Sequence, residues 1–417
     1  MTGRRTETVT FDDIERARDR LDDDTVVKRT PVERSTSLES MTGAAGVYLK
    51  MEHLQWTGSF KTRGAYNRIK QCAEAGEADR VVAASAGNHA QGVALAATRL
   101  GIDSTVVMPK TAPQTKIDAT RGYGADVELV GRDFRGAMAH ARELADEPGV
   151  EFVHAYDDPA IIAGQGTLGV EMYEDLPAVE TVVIPIGGGG LIGGIATAFA
   201  ELSPETRIVG VQAEGAATVP DSLDKGFPKT LDDVDTIADG IATGGTSELT
   251  LSLIERHVDE VVTVSDQEIA RSVLVLLERA KQVVEGAGAA SVAAILGDLD
   301  VEGETVMPLL CGGNLDMTML QTVLIHALTD RKQILRLRVR IDDRPGKMET
   351  LSGIIAAHGA NIQTVRHDRA VEELDVGEAY LTFQIETSGA EQAEAIIRSV
   401  ADADFDVRHV NRTDGRT

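Results

Sequence analysis

A lysine lies between a phenylalanine and a glycine-ended turn in Gly58-Ser59-Phe60-Lys61-Thr62-Arg63-Gly64. An amine held there can form a Schiff base with an aldehyde, provided it is close to it and able to lose its proton. Two glycine-bearing segments follow downstream, Ser85-Ala86-Gly87-Asn88-His89 and Gly187-Gly188-Gly189-Gly190. The four glycines stand between an apolar run, Thr181 to Ile186, and Leu191-Ile192-Gly193-Gly194. That spacing sets unhindered backbone N–H groups at a helix N-terminus, an anion site by geometry and dipole. A tight turn for helix–strand packing is the plainer reading, but four glycines in a row favour a phosphate; the run matches neither a P-loop nor a dinucleotide fingerprint. In the Ser85–His89 loop, Asn88 can hydrogen-bond a phenolic oxygen and the N–H groups can hold a carboxylate, although alone this is equally a plain turn. No second His or Cys stands at ligand spacing from His89, so no metal is expected. Pyridoxal 5'-phosphate (PLP) needs both an amine for its aldehyde and a loop for its phosphate.

The elements that must position these residues emerge from periodicity. From about residue 45 to residue 330, short β-branched runs alternate with alanine-rich helical stretches. Val81-Val82-Ala83-Ala84 leads into the Gly87-Asn88 turn and a helix through Ala90, Val93, Ala94 and Ala97. Thr105 to Met108, Val127 to Val130, Thr181 to Ile186 and Ile208 to Val211 repeat the scheme. Such alternation predicts an α/β fold with mostly parallel sheets, whose ligands collect at the carboxyl ends of strands. After Asp330 the pattern changes. Leu335, Leu337, Val339 and Ile341 alternate with Arg336, Arg338 and Arg340, as in a half-exposed antiparallel strand. A helix with Met348, Leu351, Ile354 and Ile355 at helical spacing comes next, with Gly359 as its cap. Strands from Ile362 and through Leu381, Phe383 and Ile385, a helix near Ala390 to Val400, and a strand through Phe405, Val407 and His409 complete a ferredoxin-like βαββαβ order.

Composition narrows the class. With 417 residues and 42% hydrophobic content, the chain can build two or three cores. Its 67 acidic and 41 basic residues give a formal charge of −26, which argues against nucleic-acid binding. Only 11 of the basic residues are lysine, and the acidic charge is spread along the chain, a surface suited to concentrated salt. Cys72 and Cys311 cannot form a disulfide framework, and no apolar signal region opens the sequence, so a cytoplasmic protein is expected. The uncharged stretch from Val182 to Ala200 is long enough to suggest a membrane span, but four glycines and Pro185 interrupt it. It reads as strand, loop and helix.

Taken together, the motifs resemble the fold-type II PLP enzymes, specifically the threonine dehydratases (threonine ammonia-lyases), over nearly the whole chain. The lysine motif, Ser85 to Gly92, Ala163-Gly164-Gln165-Gly166-Thr167, Gly187 to Leu191, Glu285-Gly286-Ala287-Gly288-Ala289 and Cys311-Gly312-Gly313-Asn314 occur in the expected order. The tail from about residue 331, with His367-Asp368-Arg369, resembles an ACT domain, a small module that usually binds amino acids. The resemblance implies a catalytic domain over 1–330, built of two parallel-sheet subdomains with the smaller at about 54–155, and an ACT regulatory domain over 331–417. It implies that Lys61 binds the cofactor and removes the substrate's α-proton. Phe60 would pack near the ring, Asn88 would bond its O3', and Cys311 would lie against its nitrogen. Gly187, Gly188, Gly189, Gly190 and the Leu191 amide would hold the phosphate. Ser85, Ala86, Gly87, Asn88 and His89 would bind the substrate carboxylate.

The implied reaction is deamination of L-threonine to 2-oxobutanoate and ammonia, with L-serine a secondary substrate. An amino-acid effector, with isoleucine as pathway end product the first choice, and a homotetramer are implied as well; nucleic acid, membrane and a resident metal are not. Serine racemases share the fold but place a serine where this chain has Ala86, and their divalent-metal site is only half present, at Glu214. A cysteine-forming sulfhydrylase fits the Ala86 loop and the tail less well. A non-catalytic amino-acid sensor is the rival from another class, and the intact set around Lys61 counts against it.

Overall fold

The computed structural model describes residues 8–409, which gather into two compact units parting between Asp316 and Met317. The first unit opens with α1 (Phe11–Arg20), started by a capping box in which the Thr10 hydroxyl accepts from the Asp13 N–H and the Asp13 carboxylate accepts from the Thr10 N–H. Strands β1 (Val32–Arg34) and β2 (Gly46–Lys50) pair antiparallel around α2 (Thr36–Thr42).

The chain then winds a small parallel sheet. Helix α3 (Lys61–Ala75) precedes β3 (Arg80–Ala84), and α4 (Asn88–Leu100) leads to β4 (Asp103–Met108). Next come α5 (Gln114–Gly122), β5 (Asp126–Leu129), α6 (Phe134–Ala145) and β6 (Val150–Phe152). The strands lie in the order β5-β4-β3-β6, all parallel. Parallel neighbours need a crossover, which is why helices alternate with strands here.

Helix α7 (Pro159–Asp175) leads on to the larger sheet. Its further elements are β7 (Thr181–Pro185), α8 (Gly190–Leu202), β8 (Arg207–Ala213), α9 (Val219–Lys225) and α10 (Glu248–His257). They continue with β9 (Glu260–Val264), α11 (Asp266–Val275), α12 (Gly286–Leu296) and β10 (Thr305–Pro308). The sheet order is β1-β2-β10-β7-β8-β9, parallel from β2 onward. Every residue of β7 is buried, which explains its unbroken apolar run: a parallel strand is covered on both faces. The uncharged stretch after Thr181 thus divides into β7, a glycine loop and α8, and no described helix is long and apolar enough to cross a membrane. Helices α3 and α7 approach closely because a Cβ on Gly164 would come within 2.7 Å of the Gly64 Cα. The Gln165 side-chain oxygen then accepts from the Gly64 N–H at 3.2 Å.

The second unit starts with α13 (Met317–Asp330), which packs on β11 (Ile334–Asp342). The parting therefore falls ahead of this helix, not at the composition switch at Arg331-Lys332. Then come α14 (Lys347–Ala357), β12 (Asn361–Asp368), β13 (Glu378–Glu386), α15 (Ala390–Asp402) and β14 (Asp406–His409). The four strands form an antiparallel sheet in the order β12-β13-β11-β14, the ferredoxin-like arrangement that βαββαβ predicts. Leu335, Leu337, Val339 and Ile341 bury one face of β11 with Leu381, Phe383 and Ile385, under Leu351, Ile355 and Ile396 of the helices. Met348, assigned to the same helical stripe by spacing, is instead 42% exposed in the first turn of α14. Gly359, at a φ of 72°, caps that helix, and its N–H donates to the Ala356 carbonyl.

Candidate active site

Two strand-to-helix junctions of different sheets face one cavity. The carboxyl end of β3 runs through Ser85–Gly87 into α4, and that of β7 runs through Gly187–Gly189 into α8. The cavity measures about 540 Å³, a size suited to a small cofactor with substrate. Phe60, Lys61, residues Ser85 through His89, Gly187 through Leu191, and Cys311 all line it. Segments more than two hundred residues apart in the chain thus meet at one place, where α/β sheets collect ligands.

Lys61 is the first residue of α3, and its Nζ donates to the Ala155 carbonyl at 2.8 Å. The ammonium lies 5.1 Å from the centre of the Phe60 ring. Burial disfavours its charge and lowers its pKa from 10.5 to about 8, so a useful fraction is neutral near physiological pH. Burial pushes the Cys311 thiol well above its usual range, and the neighbouring Glu285 adds to the effect. The two loops are stitched together: the Phe60 N–H donates to the Cys311 carbonyl and the Gly313 N–H to that of Gly58.

Two positions along α3, Arg63 holds the helix in place. Its guanidinium meets Glu52 at 2.6 and 3.1 Å and Glu171 at 2.7 and 3.0 Å. Lys50 joins the same network through Glu171 at 3.1 Å and Asp175 at 2.8 Å. Arg63, Glu52 and Lys50 are all buried, so each charge is tolerable only because it is paired.

In the asparagine loop the Ser85 hydroxyl accepts from the Gly87 N–H at 3.1 Å. First-turn amides of a helix lack an i−4 carbonyl partner, so the start of α4 suits an anion, although the Ala90 N–H donates to the Gly87 carbonyl. The His89 imidazole is tied to the Val153 carbonyl at 2.9 Å and held neutral, its pKa lowered to about 3 by burial and then by Lys61. The side chain packs, and the loop's polar chemistry falls to its backbone and to Asn88. In the glycine loop a Cβ on Gly188 would overlap the Tyr156 ring. Gly189 adopts a φ of 88° at the start of α8, a left-handed conformation that side chains disfavour, and a Cβ there would sit 2.9 Å from Thr250. The loop is therefore a bare backbone cradle at a helix N-terminus.

Several residues of this site were not assigned roles from sequence. Tyr156 walls the cradle and lines the cavity. Glu285 accepts from the Asn88 Nδ2 at 2.7 Å, and the Asn314 Nδ2 donates to the Asn88 Oδ1 at 2.8 Å. Burial raises the Glu285 pKa to about 7 against the hydrogen bond from Asn88. Glu285 and Asn314 both sit in glycine-rich motifs visible in the sequence, but spacing does not reveal that they converge on Asn88. The Ala163–Thr167 motif proves to be chiefly a helix-packing element, although Gln165 also reaches the cavity wall.

Fold and site together define a fold-type II PLP-dependent enzyme. Residues 24–312 match the family described as pyridoxal-phosphate dependent enzyme, and the chain belongs to that family. Over 402 residues it is 44% identical to the L-threonine ammonia-lyase of Thermotoga maritima, covering 96% of this chain and 100% of that protein. The L-threonine ammonia-lyase of Geobacter sulfurreducens is 43% identical over 89% of this chain and 92% of its own. Among solved structures, the processed threonine deaminase isoform 2 of Solanum lycopersicum superposes with a TM-score of 0.71 at 36% identity, over 77% of this chain and 91% of that one. Maize serine racemase superposes with a TM-score of 0.72 at 32% identity, over 78% of this chain and 100% of that one. The residues present fit PLP: a buried amine of lowered pKa, a cradle closed to side chains at a helix N-terminus, and a buried thiol share one cavity.

Proposed function

We propose that the protein deaminates L-threonine to 2-oxobutanoate and ammonia, with L-serine a weaker substrate. The observation that carries this reading is the convergence of the Lys61 amine, the Gly187–Gly190 cradle and the Ser85–His89 loop on one cavity. A relative 44% identical over 96% of this chain and named for threonine supports the substrate. In this reading Gly187 to Gly190 and the Leu191 amide hold the phosphate, aided by the positive end of α8. Phe60 packs near the ring, Asn88 bonds its phenolic oxygen, and Cys311 faces its nitrogen. Backbone N–H groups from Ser85 to His89 hold the substrate carboxylate.

Bound PLP supplies the electron sink that makes the substrate's α-hydrogen acidic. Lys61 Nζ, half-neutral near pH 8, takes that proton. Cys311, kept as a thiol, would offer the ring nitrogen no anion, which would favour prompt loss of the β-hydroxyl over lasting charge on the cofactor. The cradle would hold the phosphate, which would supply an acid for that leaving hydroxyl. The aminocrotonate set free tautomerises and hydrolyses to 2-oxobutanoate and ammonia. Racemisation is the second reading, favoured by the likeness to serine racemase. It needs a proton donor on the opposite face, where serine racemases place a serine and this chain has Ala86, which offers none.

The test is 2-oxoacid release from L-threonine and L-serine in concentrated KCl with added PLP. Faster 2-oxobutanoate than pyruvate production is expected, and Lys61→Ala should abolish both products and the visible absorbance of the bound cofactor. Turnover retained in that variant would refute the role of Lys61. For the second unit, the βαββαβ order and the His367-Asp368-Arg369 segment support an ACT domain that binds an amino-acid effector, with isoleucine the first choice. Titration of the full chain with isoleucine and valine should shift the substrate dependence, and no response to either would remove the effector reading. A homotetramer is the assembly we assign by analogy with the family.

A further inference from the structure

The side-chain amide of Asn88 has two ends, and the structure fixes which is which. Its Oδ1 accepts from the Asn314 Nδ2 at 2.8 Å, while its Nδ2 donates to Glu285 Oε1 at 2.7 Å. Reversing the amide would set an NH₂ against the Asn314 NH₂ and a carbonyl against Glu285 Oε1, losing the first bond outright and keeping the second only with a protonated carboxyl. The two partners are themselves held. Asn314 also donates to the Thr57 carbonyl at 2.7 Å, and Glu285 donates its backbone N–H to the Gly312 carbonyl at 3.1 Å. The backbone makes room for this arrangement. A Cβ on Gly312 would collide with Glu285 Oε1, and one on Gly58, at a φ of 72°, would reach within 2.5 Å of Asn314 Oδ1. Glu285 stands at the N-cap of α12 but its side chain makes no capping hydrogen bond there, and Asn314 lies in a loop beyond β10. Yet both line the cavity beside Asn88.

An amide with Oδ1 taken and one N–H spent has a single N–H left to offer. We propose that Glu285 and Asn314 are positioning residues that hold Asn88 as a hydrogen-bond donor toward the cavity, so that the site selects PLP with an anionic ring oxygen. A donor stabilises that oxygen as an anion, whereas a reversed amide would present an acceptor and favour its protonated form. Asn88 thus touches the cofactor, and the other two act through it. This inference rests on the PLP-binding reading above.

The test compares the full-length holoenzyme with Asn314→Ala, Glu285→Gln and, as a reference for loss of the donor, Asn88→Ala. The readouts are the ratio of the visible to the near-ultraviolet cofactor band and the PLP dissociation constant, each at one fixed pH, with melting temperature followed in parallel. Both positioning variants should move the band ratio toward that of Asn88→Ala and raise the dissociation constant about tenfold, the scale of one unmade buried hydrogen bond. Asn314→Ala removes no charge, so a shift there cannot be a field effect of losing the Glu285 carboxylate. If Glu285→Gln does not fold, Asn314→Ala decides alone. A wild-type band ratio and dissociation constant in Asn314→Ala, whatever its melting temperature, would reduce the pair to a structural tie and overturn the proposal. Absence of any visible band in the wild-type protein would overturn the PLP reading itself, and this inference with it.

Discussion

The two units of the chain bury different things. In the first, Lys50, Glu52, Lys61, Arg63, His89 and Glu285 are held out of water beside backbones packed at glycines. In the second, the core is apolar, and Thr387 is the buried polar side chain among the described residues. Its charges lie on the open sheet face or at the rim, where Arg340 pairs with Glu378 and Asp343 with Arg369 at 2.6 Å. Burying charge is expensive and is tolerated only when paired or when it supplies chemistry. The first unit accordingly carries the pair-locked helix of Lys61 and an amine with lowered pKa. The second is stabilised by ordinary apolar packing, and any ligand it takes must be recognised at its surface.

That contrast can be broken or sharpened by substitution. The largest effect is expected in the first unit. Arg63→Leu leaves Glu52 buried without its cation and Glu171 with Lys50 alone, and should cost about 3–5 kcal/mol in urea unfolding. A loss no bigger than that of an exposed pair, about 0–1 kcal/mol, would mean that the network is not what holds α3. Next, Leu337→Ala in the apolar core of the second unit should cost about 2–5 kcal/mol while leaving the cofactor's absorbance untouched. A changed absorbance would show that the second unit's packing reaches the cofactor site.

The smallest effect is one of pH. With the Lys61 amine lowered to about 8, its neutral fraction grows as pH rises and saturates above that value. Uptake of PLP by the apoprotein should therefore quicken with pH and level off above about 8. An ordinary lysine would keep gaining neutral amine toward its usual pKa of about 10.4. A rate still climbing steeply at high pH would remove Lys61 from the group whose charge burial suppresses.

Much of this was legible in the residues. The alternation of β-branched and alanine-rich runs announced the parallel sheets, and the leucine–arginine alternation from Leu335 to Ile341 announced the antiparallel one. Each is a local period, set by which face of the element is buried. Lys61, the asparagine loop and the four glycines stood out as a set, since each taken alone also has a plain structural reading. Met348 misled, since helical spacing says which residues share a stripe and not how far the stripe is covered. The parting of the units was displaced for a related reason: composition changes at Arg331, but α13 packs on β11, the strand C-terminal to it.

The sequence by itself determined the elements, their periods and the chemistry of the motifs, because these depend on neighbours within a few residues. Only the tertiary structure decided that Asn88 lies between Glu285 and Asn314, that Arg63 finds Glu171, and that His89 is a packed neutral ring. Those facts join residues tens to hundreds of positions apart. They turn on burial, which sets the protonation state of Lys61, Glu285 and Cys311 and which no local pattern of residue types encodes.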